Sequence, residues 1–184
     1  MGQPMVVSKN GFDSDDTYDL VYSNITFVNA LRNKGVPDDR ISSDAWLSYF
    51  VDYYRAEVDN GGFPQFVYNS RWNPKAVEMA RRGMEAMGAI HHLAAFEHGA
   101  AIVDELGPQG LKRFLDSGYV GENNPERVAL RGCMEDYYAA KEQAGEDLIA
   151  LNAAWIRSRP DLKVLEMDAM YAELDRQVAA ANPA

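Results

Sequence analysis

The sequence predicts an all-α protein, a single domain of about six to eight packed helices. Three observations predict it. Apolar residues recur at three- and four-residue spacing along most of the chain. Caps, Asn-Pro pairs and paired glycines punctuate these runs at helix-length intervals. Alternating strand patterns are nearly absent, as are Gly/Ser linkers, low-complexity tracts and a fixed-period repeat.

Residues 1–12 read as a flexible leader and residues 13–182 as the helical domain. Tyr18, Val21, Tyr22, Ile25 and Val28 then mark one face of a first helix, which Gly35 and Pro37 stop. Asp13, Asp15, Asp16 and Asp19 crowd its start, where the helix dipole favours negative charge. A second helix starts near Ser42 or Ser43, carries Trp46, Tyr49, Phe50 and Tyr53, and ends at Asn60-Gly61-Gly62. Residues 63–69 read as a short helix with Pro64 in its first turn.

Asn73-Pro74 opens the next element, and residues 76–106 read as one bent helix or two. Ile90, Leu93, Phe96, Ala100 and Val103 trace its inner side. Gly107-Pro108 punctuates it, and a short helix with Leu111, Phe114 and Leu115 follows. After a loop over residues 118–124, Asn124-Pro125 repeats the start signal. Leu130, Met134, Tyr137, Leu148, Leu151 and Trp155 keep helical phase, with a break placed at Gly145. Arg159-Pro160 marks a boundary before a last helix with Met167, Met170 or Tyr171, Leu174 and Val178, which runs into a frayed Ala-rich end.

Composition narrows the function. An apolar share of 47% in 184 residues supports a sizeable core. Twenty-eight acids oppose eighteen bases, a net charge of −10. Such a balance repels nucleic acid and anionic lipid and attracts basic partners, so neither direct nucleic-acid binding nor a membrane role is expected. Cys133 is the only cysteine, which excludes an internal disulfide and fits a reducing compartment. No signal-peptide stretch and no apolar run of about 20 residues is present, so the cytoplasm is the expected location.

No catalytic constellation emerges, and no enzyme activity, cofactor or metal is expected. His91 and His98 share a helical face but stand about 10.5 Å apart along the axis. No histidine pair has the i, i+4 zinc spacing. The residues three before His91, His92 and His98 are Gly88, Ala89 and Ala95, so the Glu-x-x-His di-metal motif is absent. Cys133 sits among Leu130, Met134 and Tyr137 and reads as core. Nucleophile-elbow, phosphate-loop and dinucleotide motifs are missing.

Charge is loaded at the ends of the chain. Residues 1–70 carry a net −5, residues 71–115 a net +1, and residues 116–184 a net −6. Glu135, Glu142 and Glu146 fall at i, i+7 and i+11; Glu166 and Glu173 are seven apart, as are Asp168 and Asp175. On helices these become carboxylate columns with steps of about 6 and 10.5 Å. They would imitate a phosphate track on the scale of a groove about 12 Å wide. The bland alternative is a solvated acidic face.

Asn60, Gly61, Gly62, Phe63, Gln65, Phe66, Tyr68 and Asn69 form the segment most like a known signature. It resembles that of the DNA mimic protein 19 family, a bacterial domain family. Trp46…Tyr53-x-x-x-Glu57 before it, the Ala- and Gly-rich helix after Asn73, and the Asp147…Trp155-Ile156 region extend the resemblance over residues 42–174. It implies an all-α fold. For the namesake it implies a dimer whose acidic surface imitates double-stranded DNA and occupies a DNA-binding transcription factor.

The leading expectation is therefore an acidic binding protein that sequesters a basic, DNA-binding or transcription-regulating partner, with a homodimer implied by the resemblance. Its candidate surface residues are the eleven acids named above, from Asp13 to Asp175. The alternatives are a structural or oligomerising module, and a small-ligand protein or enzyme with a pocket near residues 60–69 and His91/His92. Tyr53, Tyr54, Gln65, Tyr68 and Asn69 would supply that pocket's polar groups.

Overall fold

The structure, a computed structural model, describes residues 3–117, 119, 121 and 123–181. In chain order the elements are β1 (Val6–Ser8), α1 (Lys9–Asp13), α2 (Thr17–Asn33), a 3-10 turn (Asp38–Arg40), α3 (Ser43–Gly61) and α4 (Phe63–Ser70). Next come α5 (Pro74–Met87), α6 (Ile90–Asp116), α7 (Pro125–Leu130), α8 (Met134–Tyr138) and a π-helical turn (Ala139–Gln143). The chain closes with α9 (Leu148–Arg157), β2 (Lys163–Leu165) and α10 (Met167–Ala181). The fold is all-α, as the sequence predicts. Part of the expected 118–124 loop, and Asn182 at the expected end of the domain, lie outside the described residues.

The chain divides into two compact units, Met1–Asp52 with Ile149–Ala184, and Tyr53–Leu148. In the first, the expected flexible leader is replaced by ordered structure. Val6–Ser8 pair in parallel with Lys163–Leu165, and Met5, Val6 and Val7 are buried. Three residues are too few to show an alternating pattern, and the partner strand is over 150 positions away, so no local signal announces this pairing. Ser8 then caps α1 by accepting from the Gly11 N–H, while its own N–H donates to Ser23 Oγ at 2.7 Å. Gly11 is a close-approach position: a Cβ there would lie 2.7 Å from the Asp19 carbonyl oxygen of α2.

Asp16 caps α2 by accepting from the Tyr18 N–H at 2.9 Å. Leu20, Val21, Phe27, Val28 and Leu31 form its buried stripe. Two buried amides tie helices together inside this unit. Asn24 Nδ2 donates to the Ala45 carbonyl and Asn152 Nδ2 to the Ser48 carbonyl, both at 3.0 Å. Trp46 is buried and donates its indole N–H to the Asp38 carbonyl at 3.0 Å. On α10, Met170, Leu174 and Gln177 face inward.

The second unit is centred on aromatic rings. Tyr54 meets Phe66 and Phe96 edge-on at 5.2 and 5.3 Å, and Phe63 meets Phe96 at 6.2 Å. Gly99 makes room for this cluster, since a Cβ there would fall 2.5 Å from the Phe63 ring. Asn73 caps α5 with Pro74 behind it, and Asn124 with Pro125 does the same for α7. The 76–106 stretch is two helices, because Gly88 takes the left-handed conformation (φ 73°) that ends α5. Gly107 (φ 64°, ψ 177°) then kinks α6 just before Pro108. The single helical phase expected from Leu130 to Trp155 is split among α7, α8, the π turn and α9.

Candidate functional site

The eleven acidic candidates divide between the two units. Asp13, Asp15, Asp16, Asp19, Glu166, Asp168, Glu173 and Asp175 belong to the first, and Glu135, Glu142 and Glu146 to the second. Counted by unit, the first holds thirteen acids and eight bases, and the second fifteen acids and ten bases. Each unit is thus −5. The end-loading seen along the chain does not survive as a difference between units, because residues 116–148, net −5, fold into the second unit while the two chain ends fold into the first.

Four of the candidates have structural employment. Asp13 pairs with Lys9 one turn away, and Asp16 is the α2 cap. Glu146 is only 13% exposed at its side chain and accepts from the His91 and His92 backbone N–H groups, each at 3.0 Å. It also meets His91 Nδ1 at 2.7 Å. Burial acts to raise the Glu146 pKa, but these hydrogen bonds outweigh it and hold the carboxyl below the usual range. Glu146 thereby caps the orphan donors at the start of α6.

Glu173 is the fourth. It is buried and accepts from Arg176 Nη2 at 2.6 Å and Gln177 Nε2 at 3.0 Å, and Lys163 Nζ stands 3.2 Å away. The Arg176 hydrogen bond leads in bringing its pKa down to about 2. Neither Glu146 nor Glu173 is a surface charge, a correction to the sequence reading.

The expected columns are broken accordingly. Glu135 lies on α8, Glu142 in the π turn, and Glu146 beyond Gly145, whose φ of +66° has already ended the helix. Glu166 precedes α10, and Glu173 turns inward because it falls on the same face as Met170, Leu174 and Gln177. Asp168 and Asp175 remain exposed on α10, seven residues apart, with Asp175 3.5 Å from Lys34 of α2. Asp15, Asp19 and Asp168 form no ion pair among the described residues. Asp19 accepts a hydrogen bond from Ser14 Oγ at 2.7 Å.

What the sequence could not show is that α2 and α10 share a cleft. Asp19, Tyr22 and Thr26 of α2 and Met167 and Met170 of α10 line one of about 270 Å³. Tyr22 and Met167 are 57% and 44% exposed, and Tyr171, one turn beyond Met167, is 60% exposed. The two acid-bearing helices therefore expose apolar side chains as well as carboxylates. Tyr22 and Tyr171 were legible only as stripe residues, since periodicity does not tell which flank of a stripe is left uncovered.

The signature segment is organised by Glu57. Its Oε2 accepts from Gln65 Nε2 at 2.8 Å and Asn69 Nδ2 at 2.7 Å, stapling α3 to α4. Gly62 adopts φ 82°, ψ 176° at the start of α4, a conformation that favours glycine, and Phe63, Pro64, Phe66 and Val67 are buried. Next to it, Asp59 accepts from Tyr137 Oη and Lys141 Nζ, both at 2.9 Å. Burial acts to raise the Asp59 pKa, but these bonds prevail and lower it. A cleft of about 340 Å³ here is lined by Asp59, Asn60, Gly61, Arg131, Met134 and Tyr138 among others.

The pocket imagined for the ligand-binding alternative is assembled differently. Tyr54 is buried among rings, and Gln65 and Asn69 are bound to Glu57. His92 is buried with Nε2 3.0 Å from the Glu146 carbonyl, whereas His91 lines a separate groove with Ala94, Ala95, Asp136 and Ala140. His98 Nδ1 lies 2.6 Å from Asp136. Burial pushes the Cys133 thiol up to about 12, so it is held protonated. No group of three His, Cys, Asp or Glu residues suited to a metal occurs among the described residues. No helix among them is long and apolar enough to cross a membrane.

The DMP19-like protein family matches residues 39–159 of this chain. The chain belongs to that family. No curated protein and no solved structure matches it. The DMP19-like match covers the Glu57–Gln65–Asn69 staple, the aromatic cluster of the second unit and the Glu146 cap. It starts close to the expected residue 42 and ends short of residue 174. The acids of α2 and α10, with Tyr22, Met167 and Tyr171, therefore lie outside the DMP19-like segment. Family membership accounts for the scaffold over residues 39–159.

Proposed function

We propose that this DMP19-like chain is an acidic binding protein that captures a basic protein, and that its partner is a DNA-binding regulator kept from its operator by charge mimicry. One observation carries this reading: Asp15, Asp19 and Asp168 are exposed carboxylates without cationic partners among the described residues, in a chain of net charge −10. Exposed carboxylates left without partners retain their field for an incoming cation. The proposal gives the chain no catalytic role. It includes the homodimer that the family resemblance implies, which a solution mass measurement reads directly.

The test is affinity capture on the immobilised full chain at low salt, followed by a salt gradient and competition with duplex DNA. Recovery of a DNA-binding protein that salt releases and DNA displaces is the expected result. A folded bait that retains nothing, or a partner whose binding ignores both salt and DNA, overturns the proposal.

A further inference from the structure

The α2–α10 cleft has a composition that plain charge mimicry does not require. A phosphate track needs carboxylates alone. Here Tyr22 and Met167 flank the cleft, Met170 forms part of its lining, and Tyr171 extends the apolar surface along α10. Asp19 lines the cleft itself; Asp168 follows the lining residue Met167 on α10, Asp15 lies four residues before Asp19, and Glu166 stands just before α10. Lys9, between the lining residues Ser8 and Asn10, pairs with Asp13 within the field of Glu166, and Lys34 at the end of α2 pairs with Asp175 of α10. Exposed apolar side chains framed by charge mark an association surface, and their charge states what kind of partner fits.

We propose that this cleft docks a cationic amphipathic helix of the partner, with one apolar side chain inserted between Tyr22 and Met167 and Lys or Arg residues on the flanking carboxylates. The inference rests on the binding-protein reading and adds an anchor to it. An inserted side chain fixes register and slows release, while the carboxylates steer the approach. Binding then has a component that salt does not remove, in contrast to a purely electrostatic mimic. A helix suits this cleft, whose lining also includes Ser8, Asn10 and Gly11, because it presents apolar anchors at i, i+3 and i+4 with basic residues beside them.

The experiment uses the full chain and two fluorescent probes of equal charge and length, a helical leucine–lysine peptide and a glycine–lysine peptide, read by anisotropy across a salt series. The leucine-bearing probe is expected to bind about tenfold more tightly and to keep that advantage as salt rises. Tyr22→Ser combined with Tyr171→Ser removes that difference and leaves the glycine–lysine probe unchanged. Met167→Gln, a charge-neutral change at an exposed helical position, does the same. Asp19→Asn with Asp168→Asn weakens both probes, whereas Asp104→Asn with Glu105→Gln on α6 leaves both as they were. Thermal melts establish that each variant is folded.

Equal affinity for the two probes, or indifference to the apolar substitutions, overturns the anchor while leaving the basic-partner reading standing. Failure of both probes to bind at low salt removes both. Concentration-dependent self-association abolished by the Tyr22 and Tyr171 substitutions identifies a second copy as the occupant and also overturns the proposal.

Discussion

Glu173→Gln separates a structural carboxylate from a surface one. The native side chain is held by Arg176 and Gln177 of its own helix and by Lys163 of β2, so it fastens α10 to the strand pair. Its pKa falls from the ordinary 4.5 to about 2, led by the Arg176 hydrogen bond. At about 1.4 kcal/mol per tenfold change, that depression corresponds to about 3 kcal/mol of folding stability at neutral pH. The Arg176 and Lys163 side chains are half exposed, and solvent screening brings the expected loss in the glutamine variant to about 1–3 kcal/mol.

The direction with pH follows from the lowered value. The stabilisation is complete above 4.5, where the unfolded carboxyl is ionised, and is lost as pH falls toward 2. Urea unfolding of both proteins at pH 7 and pH 3 is the assay. The gap between wild type and variant should shrink to less than about half at pH 3. A gap of equal size at both pH values, or no gap at pH 7, would refute the assignment of Glu173 to the ion-pair network.

Other outcomes are equally concrete. Gly11→Ala forces a Cβ against the Asp19 backbone carbonyl and is expected to cost about 1–3 kcal/mol by thermal melting; an unchanged melting temperature would mean that α1 does not pack on α2 as described. Glu146→Gln removes a charged acceptor from the start of α6 and is expected to cost about 1–2 kcal/mol in urea unfolding, while leaving salt-sensitive partner binding intact. Cys133, buried and protonated, should resist alkylation by iodoacetamide at pH 7.5 in the folded chain and react promptly in denaturant. Rapid labelling of the native protein would place the thiol at the surface.

The helices were legible because their signals are local. Asn73-Pro74 and Asn124-Pro125 opened the helices where expected, and Gly61-Gly62 closed one, since caps and breakers act within a single turn. The β1–β2 pair was not legible, because three-residue strands show no period and find each other only through the fold. The acidic columns failed for a related reason. Spacing of seven places two residues on one face only if the helix continues between them. The π turn and Gly145 interrupt the helix between Glu135 and Glu146.

By itself, then, the sequence determined the all-α class, the helix boundaries marked by Asn-Pro and Gly-Gly, the net charge and the family signature, all of which are set by residues adjacent in the chain or by composition. Tertiary structure decided which carboxylates are free. Glu146 and Glu173 carry the same charge as Asp19 and Asp168, but packing draws them inward: two backbone N–H groups of α6 hold the first, and the second sits on the buried face of α10 between an arginine of its own helix and a lysine from β2. It also decided that Tyr22 and Met167, 145 positions apart, border one cleft. Periodicity reports which face of a helix is apolar, but only packing decides how much of that face stays uncovered.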